Sequence, residues 1–218
     1  SMPHIFLIGA TGGVGHRLAP LLVKAGHKVS GLHRKPEQAE ELKAQGVIPV
    51  QGDLMEMDAD AMTEATQGAD IVVFSAGAAG SGKERTSEID GQGPVKLIEA
   101  ARRNGIQKVY LVSAIPDAGR DQEPNPGFEH YMKVKKQADI ALAQSGLDWV
   151  ILRPGTLQHE DADGQVSLGP VVEYGNVKRG NVARVLAELI ETPEISQKIL
   201  ELTDGNTEIS AAVAHLAA

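Results

Sequence analysis

A phenol and an ammonium stand four residues apart in Phe128-Glu129-His130-Tyr131-Met132-Lys133-Val134-Lys135. The segment reads as a helix continuing to Ser145, and a spacing of four puts Tyr131 and Lys135 on the same side of it. An ammonium beside a phenol favours the phenolate. The expectation is therefore a lowered Tyr131 pKa, toward use as a general acid or base near neutral pH. A second chemical feature is made of backbone. The apolar run Ile5-Phe6-Leu7-Ile8 breaks into Gly9, Gly12 and Gly15, then resumes at helical spacing from His16 to Gly26. Glycines let the chain bend sharply and let a ligand come close, and the following helix offers free N–H groups and the positive end of its dipole. A strand, a Gly-x-x-Gly-x-x-Gly turn and a helix form a variant of the dinucleotide fingerprint. Gly9, Thr11, Gly12, Gly13, Val14 and Gly15 are accordingly expected to hold a diphosphate.

The elements that must position these groups alternate between strand and helix. Lys28 to Arg34 reads as a second strand, whose end should lie beside the adenosine ribose. An acid there would bind the 2′-hydroxyl, whereas an arginine accommodates a 2′-phosphate. The residues are His33-Arg34-Lys35, so NADP is expected over NAD; the other reading is a solvated basic turn before a helix over 36–45. A third strand, Gly46 to Leu54, ends at Asp53, placed either to accept from the adenine amine, with Leu54 on the ring, or to cap a turn. A helix over 58–68 leads to the apolar strand Ala69 to Gly77. The end of that strand, Ser75-Ala76-Gly77, should pass under the cofactor's ribose, because ligands sit outside the carboxyl ends of parallel strands.

Gly77 to Glu84 mimics a nucleoside-triphosphate loop, but Glu84 stands where Ser or Thr must hold magnesium. A glycine-rich loop near the cofactor, with Lys83 reaching toward a phosphate or an acidic substrate, is the better reading. A helix over 86–104 turns Val95, Leu97, Ile98 and Ala101 inward, and the strand Gln107 to Ala114 ends at a hydroxyl, Ser113. Ile115 to Gly127 is a proline-rich loop. After Gly155, His159-Glu160-Asp161-Ala162-Asp163 reads as a solvated acidic loop, and no metal site is expected. Gln165 to Tyr174 should place one or two short strands over the nicotinamide pocket. A helix over 181–192, with Val182, Val185, Leu186 and Leu189 inward, then precedes a closing strand over 198–202. The last helix, 208–216, ends in a weakly packed alanine tail.

Composition narrows the function. The chain has 218 residues, a formal charge of -8, no cysteine and seven aromatics (three Phe, three Tyr, one Trp). With neither a basic stripe nor stacking platforms, a nucleic-acid partner is not expected. Disulfides and thiolate metal sites are excluded. The longest uncharged stretch, 71–82, is too short to cross a bilayer, and no signal-peptide pattern precedes the first strand, so a cytoplasmic protein without a membrane partner is expected. A small-molecule substrate is expected, with monomer and homodimer both open.

As an ordered set, these motifs resemble the short-chain dehydrogenase/reductase superfamily, in its atypical NAD(P)-binding branch with NmrA-like and biliverdin/flavin-reductase-like members. The matching residues are Thr11 to Gly15, Arg34, Gly52-Asp53-Leu54, Ser75-Ala76-Gly77, Val112-Ser113, Tyr131…Lys135 and Ser145 to Gly155, which includes Pro154. The alternation of strands and helices implies a doubly wound, mainly parallel α/β sheet of strand order 3-2-1-4-5-6 with a seventh strand at one edge, and the resemblance implies the same Rossmann fold. It implies one domain over 1–218, with about 156–218 supplying a small lid. It also implies that Tyr131 exchanges the proton, Lys135 holds the nicotinamide ribose and tunes Tyr131, Ser113 orients the substrate oxygen, and Pro154 lies at the cofactor. Two departures bear on this. Ala114 stands where many members have a second hydroxyl, and many members of the branch work without the tyrosine. The expected function is an NADP-dependent reductase of a small carbonyl, quinone or flavin-like acceptor. The alternatives are an NADP(H)-binding redox sensor without turnover and a nucleotide-sugar epimerase or dehydratase.

Overall fold

Strand residues alternate between two apolar layers, as a pleat covered on both faces requires. In the first strand, Ile5 and Leu7 join one core cluster, whereas Phe6 and Ile8 join the other. The computed structural model describes residues 2–77, 83–116 and 125–218, apart from the side chain of Lys83. The glycine-rich residues 78–82 and most of the proline-rich loop, 117–124, lie outside the described residues, so the expectation for Lys83 does too.

Six parallel strands, β1 (His4–Ile8), β2 (Lys28–His33), β3 (Ile48–Gln51), β4 (Ile71–Phe74), β5 (Lys108–Val112) and β6 (Trp149–Pro154), lie in the order 3-2-1-4-5-6. Ile5 pairs with Val29 on one side and Ile71 on the other, so the winding reverses between β1 and β4. Beyond β6 comes β10 (Lys198–Asp204), also parallel, then antiparallel β8 (Gln165–Gly169) and β11 (Thr207–Glu208). One face carries α1 (Gly15–Lys24), α2 (Gln38–Ala44), α7 (Arg179–Ile190) and α8 (Ile209–Ala217). The other carries α3 (Ala59–Ala65), α5 (Gly93–Asn104) and α6 (Pro126–Ala143). This is the doubly wound α/β sheet expected.

Three local expectations need correction. Gln165 to Gly169 does not lie over the pocket; as β8 it extends the main sheet through β10. The small structure at the pocket mouth is instead a parallel pair, β7 (Thr156–Gln158) with β9 (Asn176–Lys178). Val95 is not inward but 43% exposed, because two residues before buried Leu97 it stands roughly 200° around α5. The helix preceding α5 also begins earlier than expected, as α4 (Lys83–Thr86) followed by a π-helical turn, Ser87–Gln92. The last helix is as expected at its end: α8 buries Ile209, Ala212 and Val213, and its closing alanines are exposed.

The acidic segment before β8 serves as a brace. Asp161 pairs with Arg17 of α1 at 3.2 Å. Fully buried Asn181 donates from Nδ2 to Asp163 and Asp204, both at 2.9 Å, and its Oδ1 accepts from the Gly164 N–H at 3.0 Å. Asn181→Ala removes the donor and acceptor that join α7, β8 and β10, and is expected to cost about 3 kcal/mol. Urea unfolding should show a lower midpoint with an unchanged slope. The Asn181 amide and the Gln165 N–H, aided by Lys178, also hold the Asp163 carboxyl down to about 2. A depressed native pKa contributes stability above the unfolded value that is lost as pH falls through the native one. Asp163→Asn should therefore flatten the stability profile between about pH 4 and 2 in acid-unfolding measurements.

Candidate active site

The turn between β1 and α1 is closed by contacts that exclude side chains. Gly9 has φ +98°, and a Cβ there would stand 2.6 Å from the Ala76 nitrogen. A Cβ on Gly15 would stand 1.8 Å from the Gly9 carbonyl oxygen. Gly12 N–H donates to the same carbonyl at 3.1 Å, which leaves the next N–H groups at the start of α1 without intrahelical acceptors. At this turn opens a cavity of about 500 Å³, lying along the carboxyl ends of β1 to β5. That volume lies within the usual range for small-molecule sites, about 300–1,000 Å³.

Most of the residues singled out from sequence meet in this one cavity. Gly9, Thr11, Gly12, Gly13 and Val14 form its floor at the turn. His33, Arg34, Asp53 and Leu54 line one end, Ser75, Ala76 and Gly77 the middle, and Ser113, Tyr131 and Lys135 the other end. Gly15 and Pro154 are not on its wall. Gly15 packs behind the turn, and Pro154 is buried in β6 opposite Leu202.

At the ribose end, Arg34 is exposed and free to meet an anion, but His33 is committed elsewhere. Its buried ring Nδ1 lies 2.9 Å from the Lys35 carbonyl oxygen, to which it donates, so the imidazole braces the turn that presents Arg34. Asp53 Oδ1 accepts from the Met55 N–H at 2.9 Å, the turn-capping role, while the residue still lines the cavity. Ser75 donates to the Ile8 carbonyl at 3.3 Å and ties β4 to β1.

The chemical end differs from expectation in its electrostatics. Lys135 is buried, with Nζ 5.5 Å from the centre of the Tyr131 ring and 3.4 Å from the Val112 carbonyl oxygen. Its ammonium pairs at 2.9 Å with Asp90, a fully buried carboxylate on the π-helical turn. Burial pushes the Tyr131 phenol up; Lys135 pulls it down and Asp90 pushes it up again, and the net shift is upward. The expected lowering of the Tyr131 pKa is thus reversed, because burial dominates and a buried acid shares the ammonium. Burial pulls Lys135 down, but Tyr131, Asp90 and Asp139 together raise it, so it stays charged.

Behind Ser113 lies a second buried acid. Asp139 Oδ2 accepts from Arg153 Nε at 3.0 Å and is ion-paired with Nη2 at the same distance. The Ser113 hydroxyl makes no well-formed hydrogen bond, yet it stands close enough to the Asp139 carboxyl to pull its pKa down. Burial outweighs both Ser113 and Arg153, and the net shift of Asp139 is upward. Asp139 follows Tyr131 and Lys135 at a further interval of four, so its place on their helix face was legible in the spacing. Asp90 carried no such signal. A further residue that sequence reasoning missed is Arg179, the first residue of α7, which also lines the cavity.

Lys135→Met would leave the Asp90 carboxylate buried without this ammonium. A loss of about 3 kcal/mol at pH 7 is expected by urea unfolding. Lys135→Met/Asp90→Leu should recover most of it.

With this geometry in hand, comparisons with known proteins give one answer. A family model described as NAD(P)H-binding matches residues 9–193. The chain is 35% identical to an uncharacterised sugar epimerase of Bacillus subtilis, YhfK, over 97% of this chain and 99% of that protein. Among solved structures, a putative NAD-dependent epimerase/dehydratase from Bacillus halodurans matches with TM-score 0.89 and 32% identity, covering 98% of this chain and 99% of that one. The anaerobillin reductase ChuY of Escherichia coli O157:H7 matches with TM-score 0.76 and 26% identity, covering 94% and 98%. Glycine turn, reversed winding and ordered motifs agree with these matches: the chain belongs to the NAD(P)H-binding family of atypical short-chain dehydrogenase/reductases.

Proposed function

We propose that the protein is an NADP-dependent reductase of a small carbonyl, quinone or flavin-like acceptor. The observation that carries this reading is the convergence on one cavity of the Tyr131 phenol at one end, Arg34 at the other and the glycine turn as its floor. A bound nicotinamide would supply the hydride. A phenol whose pKa lies above the ordinary value is a donor at neutral pH, and reduction of a carbonyl consumes one proton at oxygen. Tyr131 gives that proton, Ser113 hydrogen-bonds the same oxygen, and the Lys135 ammonium stabilises the phenolate left behind until solvent reprotonates it.

NADP rather than NAD is supported by Arg34, whose guanidinium fork matches a 2′-phosphate, and by the lack of an acid at that position. The names of YhfK and its Bacillus halodurans counterpart suggest a sugar-epimerase reading. Against it, most of the described chain after β6 goes into β10, β8, α7 and α8, which build the main sheet and its core. The short β7–β9 pair is a small structure with which to enclose a nucleotide-sugar.

Steady-state assays with NADPH and a panel of carbonyls, quinones and flavins test the proposal. Tyr131→Phe should lower kcat by about 100-fold or more while NADPH still binds. Wild-type turnover should be flat across neutral pH and fall only in alkali, as the phenol ionises. Arg34→Ala should weaken NADPH by about tenfold and leave NADH unchanged. Turnover untouched by Tyr131→Phe on every accepted substrate would sink the proton assignment. Tight NADPH binding with no turnover, together with a specific protein partner, would favour the redox-sensor reading.

A further inference from the structure

Two guanidinium groups flank Gly13, and they are treated differently. Arg17 is tied down: Nε pairs with Asp161 at 3.2 Å and Nη1 donates to the Gly13 carbonyl at 2.8 Å, which turns that oxygen toward α1. Arg179 lies across the glycine itself. A Cβ on Gly13 would stand 2.4 Å from Arg179 Cδ and 2.8 Å from Nε, so the absence of a side chain at 13 is what lets the arginine stem cross. Arg179 is half-buried and lines the cavity, yet among the described residues it has no carboxylate or carbonyl partner. Arg17, Arg103 and Arg153 sit in ion pairs, whereas among the described residues Arg34 and Arg85, which also line the cavity, share the unpaired state of Arg179. In a chain of net charge -8 that holds more acids than bases, a cavity-facing cation left without an acid is a choice of placement.

The backbone that carries Arg179 is closely held. Gly180 N–H donates to the Glu160 carbonyl at 3.0 Å, and a Cβ on Gly180 would stand 2.1 Å from the Ala162 nitrogen. The 160–162 segment therefore fixes where α7 begins, and α7 in turn packs on α1, whose first turn is the glycine-rich bend. A cation at the start of a helix opposes the helix dipole. An anion above Gly13 would offset this cost and satisfy the guanidinium at the same time.

We propose that Arg179 is a clamp for the diphosphate bridge of the dinucleotide, closing over the side opposite the α1 N–H groups. It binds what NADP and NAD share, whereas Arg34 binds what distinguishes them. The proposal rests on the dinucleotide site of the preceding section, but it concerns the bridge and not the hydride chemistry.

Calorimetric titration of the wild-type, Arg179→Met, Arg179→Lys and Arg34→Ala proteins tests it with four probes. NADPH, NADH and ADP-ribose contain the bridge, and adenosine 2′,5′-bisphosphate lacks it. Arg179→Met, which keeps an unbranched stem over Gly13, is expected to weaken the three bridged probes alike, by about tenfold to a hundredfold. It should leave the bisphosphate unchanged, and the melting temperature should stay within a few degrees of wild type. Arg179→Lys should recover part of the loss, because it keeps the charge without the fork. Arg34→Ala should show the complementary pattern, weakening NADPH and the bisphosphate only. Unchanged affinity of Arg179→Met for the bridged probes overturns the clamp, as does an equal loss for the bisphosphate. An effect confined to the KM of the reducible substrate also overturns it, by assigning Arg179 to that substrate. Arg179-dependent ADP-ribose binding without reductase turnover would sustain the clamp and overturn the proposed reaction instead.

Discussion

The absence of a side chain at Gly15 is the constraint from which the site follows. With the helix backbone pressed against the Gly9 carbonyl, α1 starts almost on top of β1, and its unsatisfied N–H groups open into the crevice between β1 and β4. Gly9, in the left-handed region, lets β4 come equally close, and the Ser75 hydroxyl bonds back to Ile8. A bulkier residue at either position would move helix and strand apart, and the cavity would lose its floor. Because α7 packs on α1, the same bend also fixes where Arg179 stands.

At the opposite end the cavity is organised by buried charge. Lys135 is kept charged in a desolvated place by Asp90 beside it, with Tyr131 and Asp139 acting in the same direction. Burying an ion pair is costly, and such a pair is weak evidence for stability in itself. Here it carries a chemical consequence. Burial, with Asp90 sharing the ammonium, moves the Tyr131 phenol above its ordinary value and not below it. The Arg153–Asp139 pair stands behind Ser113, with buried Asp139 on the same helix as Tyr131 and Arg153 reaching it from β6.

How much of this was legible varies with the kind of signal. The sheet was read from alternation, since each strand end coincided with glycine or a polar break, and the order 3-2-1-4-5-6 appears in the structure. The glycine turn, Arg34, Ser113, Tyr131 and Lys135 were legible because local spacing displays their chemistry, and the structure brings them to one cavity. Where the reading failed, a local pattern was asked about a non-local fact. The Gln165–Gly169 run is a strand by composition, but only its pairing with β10 says which part of the molecule it covers. His33 lines the cavity as expected, and only the structure shows that its ring also braces the turn through the Lys35 carbonyl.

The sequence by itself determined the alternation of strands and helices, the glycine bend and the shared helix face of Tyr131, Lys135 and Asp139, because each depends on residues within a few positions of one another. Tertiary structure alone decided the direction in which the Tyr131 pKa moves and the company of Lys135 and Gly13. Asp90 lies 45 positions before Lys135, and Arg179 lies 166 positions after Gly13. Coulombic and desolvation energies depend on distance and burial in space, and no spacing along the chain records either.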